Sequence, residues 1–231
     1  MIRLDSYIQK SLDISRKDAK ALIKSKQISV NGSICLKDDI KINEAVDIVF
    51  WGEKKLIYEQ FVYYMLNKPQ GVISATQDNF QKTVVDLIDT KKEIFPIGRL
   101  DIDTTGLLIL TNDGELSHEL LSPNHHVDKV YNVELDGEID SEKVKLLEAG
   151  IPLDGKITKE AKIEILNKNR CNITIHEGKF HQVKRMFKYV GLNVISLKRI
   201  SFGPLKLDNN LALGEYRHLT NDEINLLKNK R

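Results

Sequence analysis

The chain has 231 residues, 41% of them hydrophobic and 29% charged, enough for one large domain or for an ordinary domain with a small companion. No run of about 20 apolar residues is present to span a membrane, and Asp5 stands where a secretory signal would carry its apolar stretch, so a cytoplasmic location is expected. The net charge of +2 hides an uneven distribution, because residues 1–32 carry seven Lys/Arg against three Asp/Glu and residues 176–199 carry six against one. Such concentration suits a protein that meets polyphosphate in two places.

Near the N-terminus, Ser15-Arg16-Lys17-Asp18 reads as a helix cap with an acid three residues on, followed by Ala19, Leu22 and Ile23 at helical spacing. Ile28-Ser29-Val30 then runs through the hairpin signal Asn31-Gly32 into a second short strand at Ser33 to Leu36. Val46, Ile48 and Phe50 alternate as a further strand, and Trp51 to Gln60 reads as a charged connector, which places a domain boundary between residues 60 and 61. Cys35 and Cys171 lack Cys-x-x-Cys spacing, so neither a disulfide nor a thiolate zinc site is indicated, and both are expected to be buried.

Beyond the boundary, Phe61 to Leu66 reads as a strand that stops at Asn67-Lys68-Pro69-Gln70-Gly71. Gly106 to Thr111 is apolar without alternation, the mark of a strand covered on both faces. Residues 130–135 and 171–175 alternate as half-buried strands, and Ser141 to Ala149 reads as a surface helix. Between His181 and Val190, Val183, Met186, Phe187 and Val190 fall at i, i+3, i+4 and i+7, which leaves Lys184, Arg185 and Lys188 off the apolar stripe. Thr220 to Glu223 caps a last helix with Ile224, Leu226 and Leu227. Strands and helices in separate runs make the class α+β.

The segment Gly98 to Gly106 holds Arg99, Asp101 and Asp103 directly before the buried strand, where a loop fixed to a rigid element carries chemistry well. Its alternative role is a capped turn, which suits Asp103 better than Asp101. Flanked by Arg99 and by a cation from the second basic cluster, Asp101 would be favoured as an anion, the form that a nucleophilic carboxylate requires. His125-His126, with His118 and Asp128 nearby, invites a metal reading. Adjacent histidines in an extended segment point to opposite faces, so a surface loop that meets RNA is the better expectation.

GRLDIDTTGLLILTNDG (98–114) resembles the signature segment of the pseudouridine synthase superfamily, KVYNVEL (129–135) its tyrosine motif, and EGKFHQVKRMF (177–187) its third motif. RLDSYIQKSLDISRKDAKALIKSKQISVNG (3–32) resembles the small RNA-binding module called the alpha-L motif. The resemblance implies an alpha-L domain with its connector at 1–60, and at 61–231 a catalytic domain on a mainly antiparallel mixed sheet flanked by helices and loops. It further implies Asp101 as the catalytic carboxylate, Lys184 as the cation paired with it, and Tyr131 stacked on the uracil, assisting removal of the carbon-five proton. Arg99 would fill the gap left by a flipped base, with His181, Gln182 and Arg185 as further RNA contacts. Arg16, Lys17, Lys20 and Lys24 would supply phosphate contacts, and Lys188, Lys198 and Arg199 would extend the track.

LSPNHHVDKVYNVEL (121–135), HQVKR (181–185) and GEYRHLT (214–220) most resemble the branch that acts on small-subunit ribosomal RNA, whose large-subunit relatives usually carry Arg where Lys184 stands. The implied reaction needs no cofactor, and no phosphate-binding loop, dinucleotide fingerprint or metal-ligand cluster is found. The competing classes are a large-subunit enzyme, a non-catalytic RNA-binding assembly factor, and a methyltransferase that would need a glycine-rich cofactor loop. Free RNA, a protein-bound assembly precursor and a finished particle are all open as substrate. A monomer is expected, with no long exposed apolar segment in view.

Overall fold

A computed structural model describes residues 1–44, 46–122 and 127–229, and the chain divides into two compact units, Met1–Gln60 and Phe61–Arg231. The first unit packs two helices, Leu4–Leu12 and Arg16–Lys24, over a four-stranded sheet. The second helix begins as the sequence indicates, with Ser15 Oγ accepting from the Asp18 backbone N–H. The first helix was not read from the sequence, although Leu4, Tyr7 and Ile8 fall at helical spacing and all enter the core.

Three expectations need correction here. Val46 and Ile48 are exposed and precede the strand, which runs Val49–Trp51. The Asp47 carboxylate accepts from the Asn43 backbone N–H and the Asn31 amide, which ties Asp47 to both residues ahead of the strand. The supposed connector holds a strand, Lys54–Leu56, joined to Val49–Trp51 by a two-residue turn at Gly52-Glu53 that buries Val49 and Leu56 together. Cys35 is only half-buried, whereas Cys171 is fully buried and burial pushes its thiol up to about 11.

The second unit is built on a nine-stranded mixed sheet. Its main order is Lys162–Asn167, Arg170–Ile175, Lys129–Leu135, Val194–Phe202, Thr105–Thr111, Tyr63–Lys68 and Tyr216–His218. All pairings are antiparallel except Thr105–Thr111 against Val194–Phe202. Leu108 and Leu110 face a core closed by Leu147, Val183, Met186 and Phe187, while Leu107 and Ile109 face another closed by Leu116, Leu120 and Leu227. The unalternating run of the Thr105–Thr111 strand is thus explained, because helices cover both faces. At the parallel pairing, a Cβ on Gly106 would lie 2.2 Å from the Arg199 carbonyl oxygen, and its φ of +102° is a glycine conformation.

Candidate active site

The polar loop before the Thr105–Thr111 strand is held from below by the end of the Tyr63–Lys68 strand and the segment after it. Lys68 is fully buried, and its Nζ donates to the carbonyls of Pro69 (3.0 Å), Asp101 (3.1 Å), Ile102 (3.4 Å) and Thr104 (3.0 Å). Burial lowers its pKa to about 8, despite the opposing pull of Asp103 and Asp101. Ser74 grips Leu100 from both sides, accepting from its N–H at 3.0 Å and donating to its carbonyl at 2.8 Å. Gly71 N–H reaches Ile102 O, and Thr104 N–H closes a turn on Asp101 O. The loop from Leu100 to Thr104 is therefore tied down at several points, which fixes where Asp101 projects.

Asp101 projects toward the helix Gln182–Tyr189, where Lys184 Nζ stands 3.2 Å from Oδ2. His181 Nε2 is 3.6 Å from Oδ1, near but beyond hydrogen-bond range. Lys184 also bonds to Asp103 Oδ1 at 2.5 Å, so one ammonium bridges two carboxylates. Partial burial works against ionisation of Asp103, but the Lys184 bond and charge prevail and hold its pKa below the ordinary value. Asp103 thus adds a direct ion pair to the backbone bond of the turn role expected for it. The apolar stripe of this helix is buried through Val183, Met186 and Phe187, which anchors Lys184 on a rigid support.

Asp101, Tyr131 and Arg99 all line one cavity of about 920 Å³ in the second unit. Tyr131 is buried in its wall on the strand Lys129–Leu135, directly opposite Arg199 in the neighbouring strand. Arg99 is exposed and forms no ion pair among the described residues. A half-enclosed chamber with a carboxylate, a cation and a phenol in its wall has the make-up of a ligand site.

Other expected RNA contacts are placed differently. Gln182 is buried and ties its own loop together, accepting from Lys179 N–H and donating to Glu177. Arg185 forms a bidentate pair with Asp154 and also donates to the Phe180 carbonyl. Arg199 is no surface cation, since its guanidinium is buried, donates to Leu107 O at 2.8 Å and lies over the Phe202 ring. Arg16 pairs with the buried Asp5 and Lys20 with Asp38, so these two cations are partly spent inside the first unit. Lys17 and Lys24 are exposed, as are Lys188 and, in part, Lys198. His125 and His126 lie outside the described residues. Asp128 is bonded to His176 Nδ1, and among the described residues no three His, Cys, Asp or Glu groups are placed to hold a metal ion.

Sequence reasoning missed Lys68 and Ser74 as supports of the loop. Asn67-Lys68-Pro69 carried only a turn signal, and no pattern marks a lysine as buried among carbonyls.

Residues 62–189 match the family described as RNA pseudouridylate synthase. An uncharacterised RNA pseudouridine synthase of Bacillus subtilis is 46% identical over 239 residues, covering 98% of both chains. The ribosomal small subunit pseudouridine synthase A of Haemophilus influenzae is 39% identical over 230 residues, covering 98% of this chain and 99% of its own. A solved structure of a pseudouridylate synthase aligns at 38% identity with a TM-score of 0.70, covering 98% of this chain and 100% of that one. A family match across most of the large unit, joined to near full-length relatives at this level of identity, settles the lineage: the chain belongs to the RNA pseudouridylate synthase family.

Proposed function

We propose that the chain converts a specific uridine of small-subunit ribosomal RNA to pseudouridine, with Asp101 as the catalytic carboxylate. The observation that carries this is the Asp101–Lys184 pair at 3.2 Å, its carboxylate on the wall of a cavity that also holds Tyr131. Lys in place of Arg at position 184, and the likeness to small-subunit enzymes along the whole chain, support the choice of RNA.

The target uridine leaves its helix and enters the cavity, at a cost of a few kcal/mol for unstacking. Asp101 then acts at the ribose, either by attack on C1′ or as the base that opens a glycal route, and the bond from C1′ to N1 breaks. The freed uracil turns over against Tyr131 and C5 bonds to C1′, which displaces the Asp101 carboxylate on the first route or is accompanied by return of the C2′ proton on the second; the C5 proton then departs and N1 gains one. Substrate and product are isomers, so the balance closes without a co-reactant. Lys184 holds the carboxylate in place by a charge-assisted bond. Arg99 fills the gap in the RNA helix. The first unit serves as an alpha-L module, where Lys17 and Lys24 supply phosphate contacts and Arg16 and Lys20, already paired with acids, add weaker ones. The enzyme works as a monomer in the cytoplasm, where its RNA is assembled into subunits.

The test incubates purified protein with transcribed small- and large-subunit RNA and maps pseudouridine chemically, with Asp101→Asn in parallel. Product in small-subunit RNA that vanishes in the variant is expected. Product only in large-subunit RNA would overturn the substrate, full activity of Asp101→Asn the mechanism, and tight binding without product would identify an assembly factor.

A further inference from the structure

Phe180 lines the same cavity as Asp101, yet its side chain is 74% exposed. Its ring lies flat on His181, with centroids 3.8 Å apart and planes 18° from parallel. One face is therefore covered, while the remainder of the ring meets solvent. His181 is also the residue whose Nε2 approaches Asp101, so the two stacked rings lead outward from the reacting carboxylate. A lone exposed phenylalanine needs no explanation. This one is held in place by a dedicated set of bonds.

Gln182, buried at the start of the helix, fixes the loop on both sides by accepting from Lys179 N–H at 3.0 Å and donating to Glu177 at 2.8 Å. Arg185 donates to the Phe180 carbonyl at 3.3 Å and is itself clamped by Asp154 at 2.7 and 2.9 Å. His181 adopts a left-handed backbone with φ of +48°, uncommon outside glycine, and it is this turn that begins the helix carrying Lys184. A flat apolar ring, stacked on His181 and carried by a braced loop beside a cavity for an extruded nucleotide, matches the stacking platforms on which single-stranded bases rest.

We propose that Phe180, backed by His181, is a stacking site for an unpaired nucleobase adjacent to the target uridine. The inference rests on the proposed reaction on RNA, since the target itself must reach Asp101 and Tyr131 deeper in the cavity. The open ring face then receives a neighbour in the strand. Gln182 and Arg185 are positioning residues for this platform, not RNA contacts.

The experiment uses full-length protein and a short RNA that contains the mapped uridine, with further RNAs in which each flanking nucleotide in turn is abasic. Stacking on an aromatic ring contributes about 1–3 kcal/mol per base, so Phe180→Ala is expected to weaken binding at least about fivefold, with Phe180→Leu similar and Phe180→Tyr near wild type. One abasic RNA should lose a comparable factor against wild type and lose nothing further against Phe180→Ala. Because stacking releases no counterions, the salt dependence of binding should be the same in both proteins. Wild-type affinity in Phe180→Ala, or an abasic penalty that persists undiminished in that variant, would overturn the platform while product formation by wild type leaves the reaction standing. Absence of product in every RNA with wild-type protein would overturn both.

Discussion

Replacing Lys68 by Met removes the ammonium beneath the Asp101 loop while keeping an unbranched chain of similar length. Hydrogen bonds from a charged donor contribute about 1.5–3 kcal/mol each, and three of the four acceptors lie at 3.0–3.1 Å. Against this stands the burial of the charge. A fall in pKa from 10.5 to about 8 amounts to about 3 kcal/mol of penalty on the protonated form. Three such bonds outweigh that penalty, so at pH 7 the Met variant should be less stable than wild type by about 2–6 kcal/mol. Between pH 8 and 10.5 the folded protein has released a proton that the unfolded chain still holds, so the stability of wild type relative to Lys68→Met rises with pH across that window and is level below it. Urea unfolding of both proteins at about pH 7 and about pH 10, on either side of most of this window, measures the difference, with groups common to both cancelling. A difference unchanged between the two pH values would refute a buried, depressed Lys68. Single-turnover conversion by Lys68→Met should fall at least about tenfold at neutral pH, because a displacement of the order of 1 Å in a reacting group is costly.

Lys184→Met should reduce the single-turnover rate by about a hundredfold or more while leaving the unfolding midpoint nearly unchanged, and Lys184→Arg should restore much of it; a wild-type rate in Lys184→Met would remove the cation from the mechanism. Asp5, whose pKa is pulled down to about 2 by the Arg3 bond and further by Arg16 against the effect of burial, stabilises the first unit above about pH 4 and loses that contribution as pH falls from about 4 to 2. Asp5→Asn should therefore destabilise at neutral pH by less than about 2 kcal/mol, since its exposed arginine partners are screened by solvent, and by almost nothing near pH 2, read by thermal unfolding. Lys17→Glu with Lys24→Glu should weaken RNA binding and reduce the slope of log K against log salt by about 0.7–0.9 for each phosphate no longer neutralised, and an unchanged slope would exclude them from the interface. Gly106→Ala meets the Arg199 carbonyl at 2.2 Å in a left-handed conformation and should destabilise the protein by more than about 2 kcal/mol in chemical denaturation.

The elements legible in the sequence were those with strong local signals. The Ser15 cap, the Asn31-Gly32 hairpin, the doubly covered Thr105–Thr111 strand and the apolar stripe of Gln182–Tyr189 all lie where the residues indicate. Lys54–Leu56 escaped because its pattern, two lysines and a leucine, is that of an exposed strand with one buried residue, and the partner that makes it a strand lies across a two-residue turn. In the site, the motif resemblance marked Asp101, Tyr131 and Lys184 on the chain, and the fold brings the first two to one cavity and pairs the third with Asp101. What motifs do not carry is the fate of each cation. Arg199, Arg185 and Arg16 look alike in sequence, yet one is buried against Leu107, one is clamped by Asp154 and one is shared with Asp5, because the acceptors come from residues 11 to 92 positions away. Lys68 is the same problem reversed, a polar residue whose partners are backbone atoms and so leave no trace in side-chain pattern.

The parallel pairing of Lys198 with Thr105 and Arg199 with Gly106 has a consequence for the order of assembly. It joins segments roughly ninety positions apart, so this register is a late and entropically costly closure in folding. During translation the signature loop emerges first, and the strand that completes its floor follows only after the helix bearing the paired cation. A nascent chain thus holds Asp101 without the chamber around it until residues 194–202 have followed.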